Sequence, residues 1–141
     1  MENKFELGNL IIRVVLGITF FIHGFVKFQG GIENTVGWFE SIGIPGFAAY
    51  GVAIVELVGG IMLVLGLFSR IVSIFFAIVM AGAIVKVKLS IGFLGDGQMA
   101  GYELDLAFLA MAVMLAISGS KVFALDQFIL KGKENTTTSV N

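Results

Sequence analysis

Long apolar runs, broken by glycines and short polar stretches, set the plan of this chain. A bilayer core about 30 Å thick needs about 20 mostly apolar residues per helix. Four runs qualify, over 8–27, 47–68, 71–89 and 102–119. Joined by short connections, they predict an all-α membrane protein, an antiparallel four-helix transmembrane bundle, over residues 1–130. The pair Ser69-Arg70 makes a tight helical hairpin between the second and third spans. The fourth span is slightly short and implies little tilt or a locally thinned bilayer.

The connection "QGGIENTVGWFESIGIPG" carries its own pattern. Trp38, Phe39 and Ile42 fall on one side of a short helix, which Gly43, Pro45 and Gly46 end. An amphipathic segment with tryptophan suits the lipid–water boundary; a loop packed on the bundle is the other reading. The tail 131–141 is polar and is expected to be a disordered cytoplasmic extension. The opening "MENKFELGNL" carries two glutamates instead of a basic signal-peptide start, so the first span is expected to be retained.

Composition agrees with the spans. The 141 residues are 57% hydrophobic and 13% charged, with no cysteine and one histidine; soluble domains are about 25% charged. Without cysteine the chain has no thiolate nucleophile, iron–sulfur ligation or thiol-based zinc site. One histidine cannot provide both ligands of a bis-histidine haem. No metal site and no intrinsic cofactor are therefore expected, and any electron transfer needs a borrowed cofactor or a partner subunit. A net charge of −1 without a basic cluster gives no nucleic-acid surface.

Basic residues set the orientation. With both termini inside, Lys4, Arg13, Arg70, Lys121, Lys131 and Lys133 are cytoplasmic, against Lys27, Lys86 and Lys88 outside. That distribution predicts that both termini face the cytoplasm.

Ionisable groups inside spans are expensive, on the order of 2.5–3.5 kcal/mol each at mid-membrane. At about 100° per residue, Arg13, Gly17, Phe20, Gly24 and Lys27 share one face of the first span, with His23 at its edge. In the second span Glu56 has Ala53, Gly59 and Gly60 on its own side. Gly17, Gly24, Gly59 and Gly60 mark close helix approach. By rise along the helix, His23 lies about 6 Å farther out than Glu56 and Arg13 about 9 Å farther in. Either can pair with Glu56. Glu103 and Asp105 point to opposite sides of the fourth span. A polar pocket in the outer half, floored by Glu56, is the simplest arrangement. The plainer alternative is a buried pair that only fixes packing, with Lys27, Lys86 and Asp105 snorkelling to water.

One motif is set aside. "GDGQMAG", Gly95–Gly101, matches the dinucleotide pattern G-x-G-x-x-A, but lies between spans without the required βαβ unit. Its glycines are read as turn formers.

The ordered set "RVVLGITFFIHGFVKFQGG", "WFESIGIPGF", "VELVGGIMLVLGLFSR", "GYELDLAFLAMAV" and a late "ALD" resembles the DoxX family of small bacterial membrane proteins. The likeness covers about residues 7–130 and is greatest to bacillus-type members associated with catechol and quinone handling. It implies a four-helix protein tied to quinone-linked redox systems, an oxidoreductase or a subunit of one. By motif match it carries over His23, Gly24, Lys27, Glu56, Gly60, Arg70 and Glu103. In this reading a quinone is the ligand and a soluble or membrane redox partner supplies electrons. His23 or Lys27 hydrogen-bonds a quinone oxygen, Glu56 or Glu103 carries the proton, and Arg13 and Arg70 are structural polar partners. The alternative is a non-catalytic anchor or a small-molecule transporter. The transporter needs a homodimer, for which Ala112 and Ala116 offer a small-residue surface.

Overall fold

A computed structural model describes residues 2–129. Its elements are α1 (Glu2–Gln29), α2 (Ile32–Ser41), α3 (Phe47–Leu65), α4 (Ser69–Ala83) and α5 (Glu103–Ser118). α4 continues into a π-helical turn over Ile84–Lys88, and residues 125–129 form a further helical turn. The described residues form no strand; a single isolated bridge joins Gly95 to Ala100. Among them three stretches are long and apolar enough to cross a membrane: Glu2–Gln29, Phe47–Leu65 and Ser69–Lys88. α5 has 16 residues, about 24 Å at the rise of an α-helix. The tail 131–141 lies outside the described residues.

α1 starts at Glu2, earlier than the apolar run alone indicates. α3 stops at Leu65, where Gly66 takes the left-handed conformation with φ +73°. The Gly66 N–H donates to the Leu63 carbonyl at 3.1 Å and the Leu67 N–H to that of Met62 at 2.8 Å, closing the helix end. A side chain there would also meet Ala124 and the Arg13 guanidinium at 2.6 Å.

α1 runs antiparallel along α3 on a seam of small residues. Gly17 faces Gly60 and Val64, and Gly24 faces Ala53 and Leu57. The backbones approach closely because no Cβ stands between them. Gly59, next along α3, faces Phe76 and Val72 of α4 instead. α4 in turn packs along α5. The shared core comprises Leu16, Phe20, Leu63, Val72, Phe76, Met80, Ala112 and Leu115. The rings of Phe20 and Phe76 stack at its centre, 3.9 Å apart and 11° from parallel. Ala112 is 0% exposed within this core and so faces inward, whereas Ala116, one turn on, is half-buried.

The end of the molecule at the α3–α4 turn is tied by Arg13, which is 1% exposed. Its Nη2 donates to the Phe123 carbonyl at 3.0 Å and its Nη1 to Ser120 Oγ at 3.4 Å. A pair with Glu56 does not form. The seam sets Arg13 beside Gly66, ten residues along α3 from Glu56 and so about 15 Å away. Arg70, by contrast, is exposed and donates from Nε to the Ala116 carbonyl at 3.0 Å. The Asp126 carboxylate accepts from the Phe68 N–H at 2.8 Å, and Glu6 from the Lys121 N–H at 3.0 Å.

An Arg13→Met substitution therefore leaves buried acceptors without donors, at about 1–3 kcal/mol. The expected result is hydrogen exchange about 10- to 100-fold faster at Ala124 and Asp126, with the α1–α3 seam unchanged. Equal exchange at Ala124 and Asp126 in both proteins would show that the guanidinium does not hold this segment.

Candidate functional site

The other half of the molecule encloses a cavity of about 430 Å³. Phe20, Met80 and Phe108 form its floor, directly above the stacked core. α1 adds His23 and Lys27, α3 adds Glu56, the π-helical turn adds Lys86 and Lys88, and α5 adds Asp105. The polar groups of four helical segments thus converge on one space.

Two ion pairs line it. Lys27 Nζ lies 2.5 Å from Glu56 Oε2, and Lys88 Nζ lies 2.6 Å from Asp105 Oδ2. The first arises from the α1–α3 register. With Gly24 against Ala53 and Leu57, His23 stands about level with Glu56 and Lys27 about one turn farther out. The flexible lysine reaches back to the carboxylate, which is 4% exposed. His23 is exposed and lines the same cavity without bonding Glu56.

The second pair depends on the helical irregularity. The Leu89 N–H donates to the Ile84 carbonyl at 2.8 Å, five residues back. One extra residue in a turn rotates the downstream residues by about 100°. That rotation brings Lys88 to the α5 side, where Asp105 waits.

Glu103 is the correction on α5: it is exposed and does not line the cavity. The inward stripe of this helix is Asp105, Ala112 and Leu115, with Phe108 on the cavity wall. Glu103 sits about 200° around the helix from Asp105. Asp105 and Lys27 are engaged in ion pairs within the protein and do not simply snorkel. The sequence signal for Asp105 is its spacing of three and seven residues from Phe108 and Ala112.

The segment after α1 also has a more definite place. α2 turns Trp38 and Phe39 onto the cavity, and Phe39 is buried. This is packing on the helices, with Trp38 left partly exposed at the rim. Tyr50 of α3 donates to the Glu33 carboxylate at 2.6 Å and fastens the start of α2. In the connection before α5, Gly95 and Gly97 have φ of +102° and +85°. Between them the Asp96 carboxylate accepts from the backbone N–H groups of Met99 and Gln98, which hold it below the usual carboxylate range. This is a turn, and the described residues form no βαβ unit around it.

Three lysines face two carboxylates here, which leaves the walls at about +1 with His23 neutral. Both carboxylates are taken; Lys86 forms no ion pair among the described residues. Nor do those residues bring three His, Asp or Glu side chains together for a metal. The cavity thus combines the aromatic side chains of Phe20, Trp38, Phe39 and Phe108 with the polar groups of His23, Lys86 and the two ion pairs.

Residues 8–89 match the family model described as DoxX, and residues 49–140 match the one described as the TQO small subunit DoxD. The chain is 45% identical over 139 residues to a Bacillus subtilis protein named "Putative oxidoreductase CatD", covering 99% of each. It is 35% identical over 132 residues to an uncharacterized membrane protein of Mycobacterium tuberculosis, covering 86% of this chain and 81% of that one. It is 28% identical over 123 residues to the inner membrane protein YphA of Escherichia coli, covering 84% and 87%. No solved structure matches.

Proposed function

The chain belongs to the DoxX family, and from that membership we propose a redox-associated membrane protein whose cavity binds a quinone- or catechol-type ring. α5 is the fourth span of an antiparallel four-helix bundle, and both termini face the cytoplasm, in line with the distribution of basic residues. The cavity opens toward the outer half of the bilayer.

The observation that carries this reading is the convergence of His23, Lys86 and the Lys27–Glu56 pair on one aromatic-walled space. A volume of about 430 Å³ accommodates a substituted six-membered ring. Phe20 and Phe108 offer faces for it. His23 and Lys86 donate hydrogen bonds to its oxygens. Glu56, with Lys27 as counter-ion, holds or releases the proton that accompanies each electron. A quinone supplies the two-electron chemistry when bound, and a soluble or membrane redox partner exchanges the electrons. The relative named as an oxidoreductase supports the class of activity.

Trp38 is the single tryptophan of the chain and lies on the cavity wall, so its fluorescence reports occupancy. A benzoquinone should quench it saturably in the purified protein. Lys86→Met should weaken that binding about tenfold, the loss of one charge-assisted hydrogen bond of about 1.5 kcal/mol. His23→Ala should weaken it comparably. Quenching that never saturates, or that both variants leave unchanged, overturns the proposal. Copurification with a soluble oxidoreductase, without ring binding, would favour a membrane anchor.

A further inference from the structure

Resting on that reading of the cavity, we infer that its ligand is a lipid-borne amphiphile, entering sideways from the bilayer between α3 and α4. The ring occupies the polar chamber, and an apolar tail lies in the gap between these helices.

The gap originates in where α3 and α4 touch. At Gly59 the contact is tight: an added Cβ would lie 2.9 Å from Phe76 and 3.3 Å from Val72. Val52 and Ala48 continue the same face of α3, seven and eleven residues back, where a helix returns to nearly the same direction. Both line the cavity. The two helices therefore part beyond Gly59, and the cavity fills the space between them.

The edge of that space on α4 is made by Ile78 and Gly82. Both line the cavity and both are exposed, Ile78 at 62%. A Cβ added to Gly82 would meet nothing within 4 Å. These residues lie nine and thirteen positions into the stretch Ser69–Lys88, about 14 and 20 Å along it. The opening is thus within the hydrocarbon layer, level with acyl chains. Its sides, Ala48, Val52, Ile78 and Gly82, carry no polar side chain. The charged groups lie deeper or farther out, at Glu56, Lys86 and Asp105. Trp38, Phe39 and Ile44 cover part of the route from outer water. Polar groups inside and an apolar passage to lipid match a molecule with a polar ring and a hydrocarbon tail.

Gly82 makes this testable, because a larger side chain there narrows the passage without entering the packed core. The full chain is reconstituted in phosphatidylcholine nanodiscs, and Trp38 quenching is titrated with two benzoquinones sharing one ring. One bears a long isoprenoid tail and the other none. Concentrations are those measured in the lipid phase, after separation from the aqueous fraction, so that unequal partitioning is divided out. Wild-type protein should bind the tailed quinone at least tenfold more tightly. Gly82→Phe should weaken the tailed quinone at least tenfold and leave the tailless one within twofold; Gly82→Ala should behave as wild type. Equal affinity of the two quinones in the wild type overturns the inference while the ring-binding proposal stands. So does a Gly82→Phe protein that binds the tailed quinone normally. Saturable quenching by neither ring in the wild type overturns the ring-binding proposal itself, and this inference with it. Should Gly82→Phe not fold, the wild-type comparison decides alone.

Discussion

Lys27→Met should destabilise the protein by about 3 kcal/mol, because it strands a buried carboxylate. Breaking a buried ion pair from one side typically costs about 3–5 kcal/mol. The lower end applies here, since the Lys27 side chain retains 24% of its exposure and the pair is partly wet. Glu56, at 5% for its side chain, has no such access. Removing both charges, in Lys27→Met with Glu56→Gln, should recover at least half of the loss, because the orphaned charge is gone. Thermal unfolding in detergent, followed by circular dichroism, separates the two variants. A double variant as unstable as the single one would mean that the pair contributes nothing beyond the packing of its side chains. Ring binding should fail in both, since both lose the charged carboxylate–ammonium partnership on the wall.

Gly60→Ala should be worse, although it adds only one methyl group. That carbon would lie 2.5 Å from the Phe21 nitrogen and 2.7 Å from the Gly17 carbonyl oxygen. Both are backbone atoms of the facing helix, so no rotamer change relieves the clash. α1 must move away along the seam. Overpacking usually costs about 1–3 kcal/mol, and a clash with two backbone groups of the facing helix should reach or exceed the upper value. Gly51 is the internal control, on the same helix with nothing within 4 Å of an added Cβ. Gly51→Ala should leave the unfolding temperature unchanged or slightly raised, as expected from helix propensity alone. If the two alanines behave alike, the close approach of α1 and α3 is not the constraint described.

The helical runs are legible in the sequence because hydrocarbon imposes a length and a composition that few other environments demand. The seam glycines are legible too, from their spacing beside charged residues. Pairing among polar side chains is harder to read, for reasons of reach and register. The α-carbon of Lys27 sits at the outer end, yet four methylene groups carry its ammonium back to Glu56. Depth alone allows Arg13 to reach Glu56, but the C-terminal segment offers it carbonyls 107 and 110 residues away, a contact no local pattern announces. Helical spacing correctly sets Glu103 and Asp105 on opposite sides of their helix. Asp105 shares the inward face with Ala112 and Leu115, but its pairing with Lys88 depends on a π-helical turn without a sequence signature. The ends of the elements obey local chemistry more than hydropathy. Gly66 stops α3 before the apolar run ends.

The clamp at Arg13 has a consequence for biogenesis. The cation is made early and its acceptors late: Ser120 and Phe123 leave the ribosome 107 and 110 residues afterwards. At about 5–20 residues per second this is a wait of roughly 5–20 s. Throughout it, the first hydrophobic segment carries a guanidinium whose final acceptors do not yet exist. The Arg13 side chain therefore stays without these acceptors until the segment that follows α5 has been made, so the clamp between the first helix and that segment closes late.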